Sequence, residues 1–281
     1  MRLELNFHLF LHNYLAIEKN KKTMLVHPNP KINIGLYITE KRTDGFHNIE
    51  TVFYPVHDKK DRLSIELLSE GDTEVILENN APQIEKEKNL CYRAWLLLKN
   101  DCFVPNVRIM LTKNIPIGAG LGGGSADAAF TLVTLNKMCN LGLSVEKLKQ
   151  YAQKLGSDVP FFIENRPIFA HGRGEIMENI ELDLSHKVIT IIKPPFSIST
   201  AEAYNGAIPK KAPIDLKKAI QKPVHEWKNY IENDFEKILF PKYPFLKEIK
   251  EGLYENGAEY ASLSGSGSAL YAISDNIITF K

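Results

Sequence analysis

A mixed α+β fold is what the sequence predicts, from two kinds of apolar spacing and a glycine run set between them. Apolar residues alternate at Ile32, Ile34, Leu36 and Ile38, and again at Val107, Ile109 and Leu111, the spacing of a strand with one face in a core. They recur at helical spacing at Leu90, Ala94, Leu97 and Leu98, and at Val145, Leu148, Tyr151, Ala152 and Leu155. The run PIGAGLGGGSAD, residues 116–127, separates the second strand from an apolar stretch expected to be helical from Ala126 to about Met138. The 281 residues suffice for one large domain or two modest ones, with a core that needs no metal or disulfide staple.

Taken in order, residues 1–23 lack a sustained pattern and end in the polar run Glu18 to Thr23, so they read as a leader or an upstream extension. In the first strand Lys31, Asn33, Gly35 and Tyr37 alternate with the apolar set and are expected on the opposite face. KRTDGFHNIETVFYPV then offers a turn at Asp44-Gly45 and a strand from Ile49 to Val56, a hairpin with Phe46 and His47 near its bend. Further strands are expected at 63–68, 75–77 and 188–192, and a helix capped near Ser199 or Thr200. The second helix has Ser144 as its expected N-cap and Gly156 beyond its end. Trp227, Phe235, Phe240, Tyr243 and Phe245 are expected in a core or groove.

Composition excludes several classes. A hydrophobic fraction of 44% with 25% charged residues is that of an ordered globular protein. Lys and Arg total 35 against 34 Asp and Glu, so no global field favours a nucleic acid, and any phosphate chemistry is local. No run of about 18 apolar residues exists to span a bilayer. Cys91, Cys102 and Cys139 lack the paired spacing of zinc or redox motifs and read as buried thiols in a reducing compartment.

The glycine run is the informative stretch, with five glycines in seven positions from Gly118 to Gly124. Glycines let successive N–H groups point inward as an anion-binding nest, and a helix start adds unpaired N–H groups and a positive dipole end. A Walker loop is excluded because Gly124 stands where it needs lysine. Gly118, Gly120 and Gly123 satisfy GxGxxG, but the region about 20 residues on is helix-spaced, which disfavours a dinucleotide fold. In GSDVP, Asp158 suits a helix N-cap; beside a phosphate loop the same carboxylate would accept a hydroxyl proton. Lys31 is either a solvated strand lysine or a group that stabilises developing negative charge. SLSGSGSALYAI, residues 262–273, is either a tight turn or a loop that hugs a ligand or another backbone.

Three motifs in fixed order, PKINIGLYITEKRTDGFHNIET at 30–51, PIGAGLGGGSADAA at 116–129 and SLSGSGSALYAI at 262–273, resemble those of the GHMP kinases. LGSDVPFF at 155–162 and STAEAY at 199–204 also fit, so the resemblance covers about residues 26–273. It implies the two-domain GHMP kinase fold: an N-terminal ATP-binding α/β domain at 24–184 and a C-terminal, ferredoxin-like, substrate-side α/β domain at 185–281. It implies Lys31 and Asp158 as the catalytic pair. The nucleotide would be held by Pro116, Ile117, Gly118, Ala119, Gly120, Leu121, Gly122, Gly123, Gly124, Ser125 and Ala126, with Asn89 and Lys113, and Ser125 would lie near Mg2+. The KIN and RTDGFH elements imply a small-molecule acceptor, a cytidine diphosphate-linked methylerythritol, met by Asn33, Phe46, His47 and Thr200.

Phe46 stands where the family commonly has tyrosine, which keeps a stacking ring without its hydroxyl, and Ala126 replaces a frequent second serine. The chain stops eight residues after Ile273, so the last element is expected to be short. The same resemblance implies a cytoplasmic monomer or homodimer that binds neither nucleic acid nor membrane. The competing expectations are a GHMP kinase with another acceptor, such as homoserine, mevalonate or a sugar, and a nucleotide-binding regulator without turnover. The RTDGFH hairpin argues against the first, and Lys31 together with Asp158 against the second.

Overall fold

The structure, a computed structural model, describes residues 22–79 and 84–279. Residues 1–21 of the expected leader lie outside it, and Thr23 already belongs to the first strand. In chain order the strands are β1 (Thr23–Val26), β2 (Lys31–Lys41), β3 (His47–Pro55), β4 (Arg62–Leu67), β5 (Glu74–Glu78), β6 (Val107–Thr112), β7 (Ile168–Gly172), β8 (Ile176–Asn179), β9 (Val188–Ile192), β10 (Tyr260–Leu263) and β11 (Leu270–Ser274). The helices are α1 (Leu90–Asp101), α2 (Gly123–Met138), α3 (Val145–Leu155), α4 (Phe161–Glu164), α5 (Thr200–Tyr204), α6 (Leu216–Ala219), α7 (Asp234–Leu239) and α8 (Pro244–Glu255). They form two compact units that interleave in sequence. Among the described residues the first takes 22–30, 57–79, 84–115 and 122–165, and the second takes 31–56, 116–121 and 166–279.

The first unit is one sheet in the order β1-β4-β6-β5 with a helical layer. Strand β4 runs antiparallel to β1 and to β6, and β5 joins β6 in parallel. Val107, Ile109 and Leu111 of β6 are buried and alternate with half-buried positions, as their spacing predicts. Helix α1 is N-capped by the Asn89 side chain, which accepts the Cys91 N–H at 2.9 Å. Helix α3 is capped by Ser144 and buries Leu148, Tyr151, Ala152 and Leu155. Helix α2 starts at Gly123, three residues before the expected Ala126. Glycine's low helix propensity hides that start; packing sets it, because the Cβ positions of Gly123 and Gly124 face Ile115 and Leu90. Cys91 is buried, whereas Cys102 and Cys139 are only half-buried, so two of the three expected buried thiols are not.

The second unit holds two antiparallel sheets, β2-β3-β7-β8 and β10-β11-β9. Leu36, Ile38 and Ile49 of the first sheet pack with Ala261, Leu263, Leu270 and Ala272 of the second and with Phe235, Leu246 and Leu253 from the helices. Each such buried Leu or Ile contributes about 1.5–3 kcal/mol over its exposed state. Trp227 and Phe235 are buried as expected, but Phe245 at the start of α8 is exposed.

Strand β2 departs from the clean alternation its sequence suggests. Ile34 pairs with Val52 and Leu36 with Thr51, so Gly35 is an extra residue bulged out of register. Partners adjacent on β3 face opposite ways, so the bulge reverses the strand. Lys31, Asn33, Leu36 and Ile38 share one face, and Ile32, Ile34 and Tyr37 the other. Both faces are buried from Lys31 to Ile38, which period-two reasoning does not foresee. Gly35 has φ +64°, and a Cβ there would lie 2.9 Å from Ile231 Cγ2 and 3.0 Å from Leu216 Cδ1. Gly35→Ala is therefore expected to lower the unfolding free energy by about 1–3 kcal/mol, from left-handed strain with a clash added. A urea midpoint equal to that of the wild type would remove the bulge's claim to a glycine.

Candidate functional site

In the second unit three distant parts of the sequence meet at the backbone of Gly120. Its carbonyl accepts the Lys31 ammonium at 3.0 Å and the Ser264 hydroxyl at 3.0 Å. The backbone adds Lys31 N–H to Leu121 O at 2.9 Å and Ala269 N–H to Ala119 O at 3.1 Å. Gly120 has φ +77°, and a Cβ on it would lie 2.0 Å from Ser264 O and 3.1 Å from Gly267 O. The SLSGSGS segment is thus a loop that hugs another backbone. Gly118 and Gly122 also have positive φ, alternating with the buried Ala119 and Leu121, a backbone of the kind that turns N–H groups to one side. Pro116 and Ile117 precede them; Ile117 is exposed.

Lys31 is not a solvated strand lysine. It is 3% exposed, and its Nζ donates to Asn33 Oδ1 at 2.6 Å and lies 4.9 Å from the centre of the Phe53 ring. Asn33 in turn donates to Thr51 Oγ1 at 3.1 Å, and Thr51 to Gly35 O at 2.5 Å. Lys31 and Asn33 share the face of Thr51 because they pair with Pro55 and Phe53, and the bulged Gly35 turns its carbonyl to the Thr51 hydroxyl.

The expected acceptor residues lie in the same unit. Asp44 Oδ1 accepts the Phe46 N–H at 3.1 Å and shapes the bend between β2 and β3. Phe46 is 56% exposed with the Arg173 guanidinium 5.1 Å from its ring centre. His47 stacks on Tyr204 at 4.9 Å and 18°. Burial first, and then the charge of Lys41, push the His47 imidazole below its ordinary range. Thr200, at the start of α5, is exposed with its hydroxyl 3.5 Å from that of Ser266. Thr200 and Tyr204 are four residues apart and so on one side of α5. Tyr204 and Arg173 were not singled out from the sequence. The STAEAY segment carried a signal for Tyr204, whereas Arg173 had none.

The first unit holds the remaining candidates. Helix α2 begins with Gly123, Gly124 and Ser125 after Gly122, with no acidic residue in its first turn, so its unpaired N–H groups suit an anion. Ala126 follows, buried, and its N–H bonds Gly122 O at 2.9 Å. Asn89 is buried and spends its carbonyl oxygen on the α1 cap. Lys113 forms ion pairs with Asp61 and Asp127, neither of which the sequence reading named. Burial opposes the charge of Lys113, but the two carboxylates outweigh it and raise its pKa. Burial, the largest cause, and the charge of Asp61 push Asp127 up to about 7 against the pull of Lys113. Asp158 lies half-buried in the turn after α3. It is not the N-cap of α4: that position is Pro160, which leaves the helix without a side-chain cap. Lys31 belongs to the second unit and Asp158 to the first.

The sequence matches the family models for the GHMP kinases N terminal domain over residues 89–166 and for GHMP kinases C terminal over residues 216–276. It is 48% identical over 252 residues to a 4-diphosphocytidyl-2-C-methyl-D-erythritol kinase of Bacteroides fragilis, covering 89% of this chain and 92% of the relative. An enzyme of the same name from Chlorobaculum tepidum is 39% identical over 251 residues, 86% of each chain. A crystal structure of 4-(cytidine 5'-diphospho)-2C-methyl-D-erythritol kinase superposes with a TM-score of 0.75 at 30% identity, over 89% of this chain and 90% of that one. Mevalonate kinase of Methanococcus jannaschii shares the fold, with a TM-score of 0.64 at 15% identity over 92% of each chain.

The close approach at Gly120 is open to a direct test. Gly120→Ala is expected to cost more than about 2 kcal/mol of stability, because neither backbone can yield. Gly124→Ala, whose Cβ would meet only Leu90 Cδ1 at 3.7 Å on a helix, is expected to be neutral or stabilising by up to about 1 kcal/mol. Thermal unfolding of the pair in the opposite order would contradict the packing described.

Proposed function

The chain belongs to the GHMP kinases, and within them to the 4-diphosphocytidyl-2-C-methyl-D-erythritol kinases; on that premise we propose that it transfers the γ-phosphoryl group of ATP to the 2-hydroxyl of 4-diphosphocytidyl-2-C-methyl-D-erythritol, releasing ADP and the 2-phosphate. The reaction is a step of non-mevalonate isoprenoid (isopentenyl diphosphate) biosynthesis. The observation that carries this reading is the Lys31 ammonium bonded to Gly120 O, because it joins the strand motif to the phosphate-loop motif through one carbonyl.

In the proposed reaction the Asp158 carboxylate accepts the proton of the 2-hydroxyl as its oxygen forms the new bond to phosphorus. The bond from that phosphorus to the bridging oxygen of ADP breaks. Lys31, held by Asn33 and Gly120, favours the charge that develops on the attacking oxygen. Residues 116–126, with Asn89 and Lys113, take the nucleotide, the N–H groups at the start of α2 serving the phosphates. Among the described residues no group of three or more His, Cys, Asp or Glu side chains is disposed to hold a metal. The Ser125 hydroxyl, in the first turn of α2, would be the protein ligand of a Mg2+ brought with the nucleotide. When bound, the ion would neutralise charge on the triphosphate.

Phe46 offers a ring to the cytosine, His47 a neutral imidazole for polar contact, and Asn33 and Thr200 hydrogen bonds to the acceptor. We assign residues 24–184 to the ATP-binding domain and 185–281 to the substrate-side domain as a division of the sequence; the compact units cut across it, since 31–56, 116–121 and 166–184 fall in the second unit, and Thr23 belongs to β1 rather than to a leader. The two family matches, which fall on either side of residue 184, support this division. No helix among the described residues is long and apolar enough to cross a membrane. The reading includes a cytoplasmic enzyme, monomeric or homodimeric.

The experiment is ADP release with Mg·ATP and the cytidyl acceptor, run beside homoserine, mevalonate and galactose. Selective turnover of the cytidyl compound is expected; turnover of another acceptor would sink the substrate assignment. Asp158→Asn is expected to keep ATP binding and lose turnover by about 10²-fold or more, the scale of a positioned base. Unchanged turnover would exclude Asp158 as the base.

A further inference from the structure

We propose that Asp61 and Asp127 are positioning residues for the nucleotide: with Lys113 they form a buried ion triad that fixes both ends of the glycine loop. The inference rests on reading that loop as the ATP site. All three side chains lie in the first unit, together with the two loop ends they hold. At the start of the loop Asp61 Oδ1 accepts the N–H of Asn114 at 2.5 Å and of Ile115 at 2.8 Å, the two residues before Pro116. At its finish Asp127, on α2, accepts the Lys113 ammonium at 2.6 Å. Lys113 bridges the two, because the same ammonium pairs with Asp61. The ends also touch: a Cβ on Gly123 would lie 2.9 Å from Ile115 Cγ2 and 3.5 Å from Lys113 Nζ.

Stability alone does not account for the arrangement. Two fully buried carboxylates and one ammonium are costly to desolvate, and apolar replacements of such groups are often neutral or stabilising. Asp127 Oδ1 is buried without a hydrogen-bond partner, so the site is not arranged to satisfy every polar atom. The triad does fix geometry. Asp61 is itself anchored by its N–H to Pro28 O at 2.8 Å, and Asn79 brackets Lys113 through both backbone groups, accepting its N–H at 3.2 Å and donating to its O at 2.8 Å. With both ends pinned, the loop samples fewer conformations before the triphosphate arrives, and binding loses less ordering entropy.

The test measures Mg·ATP affinity by equilibrium dialysis without acceptor, alongside KM for each substrate and the unfolding midpoint. Asp127→Asn and Asp61→Ala are expected to weaken ATP binding about tenfold or more, the scale of a displaced contact, while KM for the cytidyl acceptor stays within about twofold. Asp61→Asn, which keeps Oδ1 for the two N–H groups, is expected to lose less than Asp61→Ala. Tyr151→Phe is the control: it deletes a 2.9 Å bond to Asp101 in the same unit and should lower the midpoint without changing ATP affinity. Midpoints that fall while ATP affinity stays within about twofold in Asp127→Asn and Asp61→Ala would overturn the proposal, and Asp127→Asn decides alone if Asp61→Ala does not fold. A wild type that binds ATP but does not phosphorylate the cytidyl acceptor would sink the acceptor assignment and leave the triad to the dialysis result. A wild type that does not bind ATP would overturn both.

Discussion

The absence of a side chain at Gly120 is the constraint on which the second unit's site depends. A methyl group there would sit 2.0 Å from the carbonyl oxygen of Ser264, well inside contact distance. Because that space is empty, the two glycine-rich loops lie backbone against backbone, and one carbonyl gathers both a hydroxyl and an ammonium. Lys31 is thereby held at its tip as well as at its root, where its N–H bonds Leu121 O. A long flexible side chain ordinarily loses about 1.5–2 kcal/mol of rotamer freedom when fixed. Here the fixing is complete before any substrate is present, which is the condition under which a charged group acts on a transition state without reorganising.

The two units handle buried lysines differently. Lys31 donates to an amide oxygen and a carbonyl oxygen and has an aromatic face beside it. Lys113 pairs with two acidic side chains, Asp61 and Asp127, that hold it fast.

Much of this was legible in the sequence, for reasons that differ by element. The alternation of Val107, Ile109 and Leu111 survives because β6 is a regular strand with neighbours on both sides. Ser144 was placed correctly at a helix start, since capping is a local interaction. The bulge at Gly35 was not visible, because one inserted residue leaves a pattern of isoleucines and leucines that still counts as period two. The start of α2 was hidden for a related reason: glycines carry no apolar signal, and packing against Ile115 is tertiary. Lys31 and Asn33 were identified through their motif, but their burial was not, since it depends on residues 120 and 265. Asp61 and Asp127 escaped notice because ion pairs across 52 and 14 residues leave no local pattern.

The interleaving of the two units bears on how the chain is made. The second unit draws on residues 31–56, 116–121 and 166–281, so its first hairpin is synthesised long before the strands it packs against. Leu36 and Ile38 must wait for Leu263, Leu270 and Ala272, more than two hundred residues later. At about 5–20 residues per second on the ribosome, that is a delay of roughly ten seconds or more with apolar side chains uncovered. The first unit has its last strand and helices by residue 165 and can close sooner. Folding order therefore runs against sequence order: the stretch that begins with Lys31 is among the first made and the last to be buried.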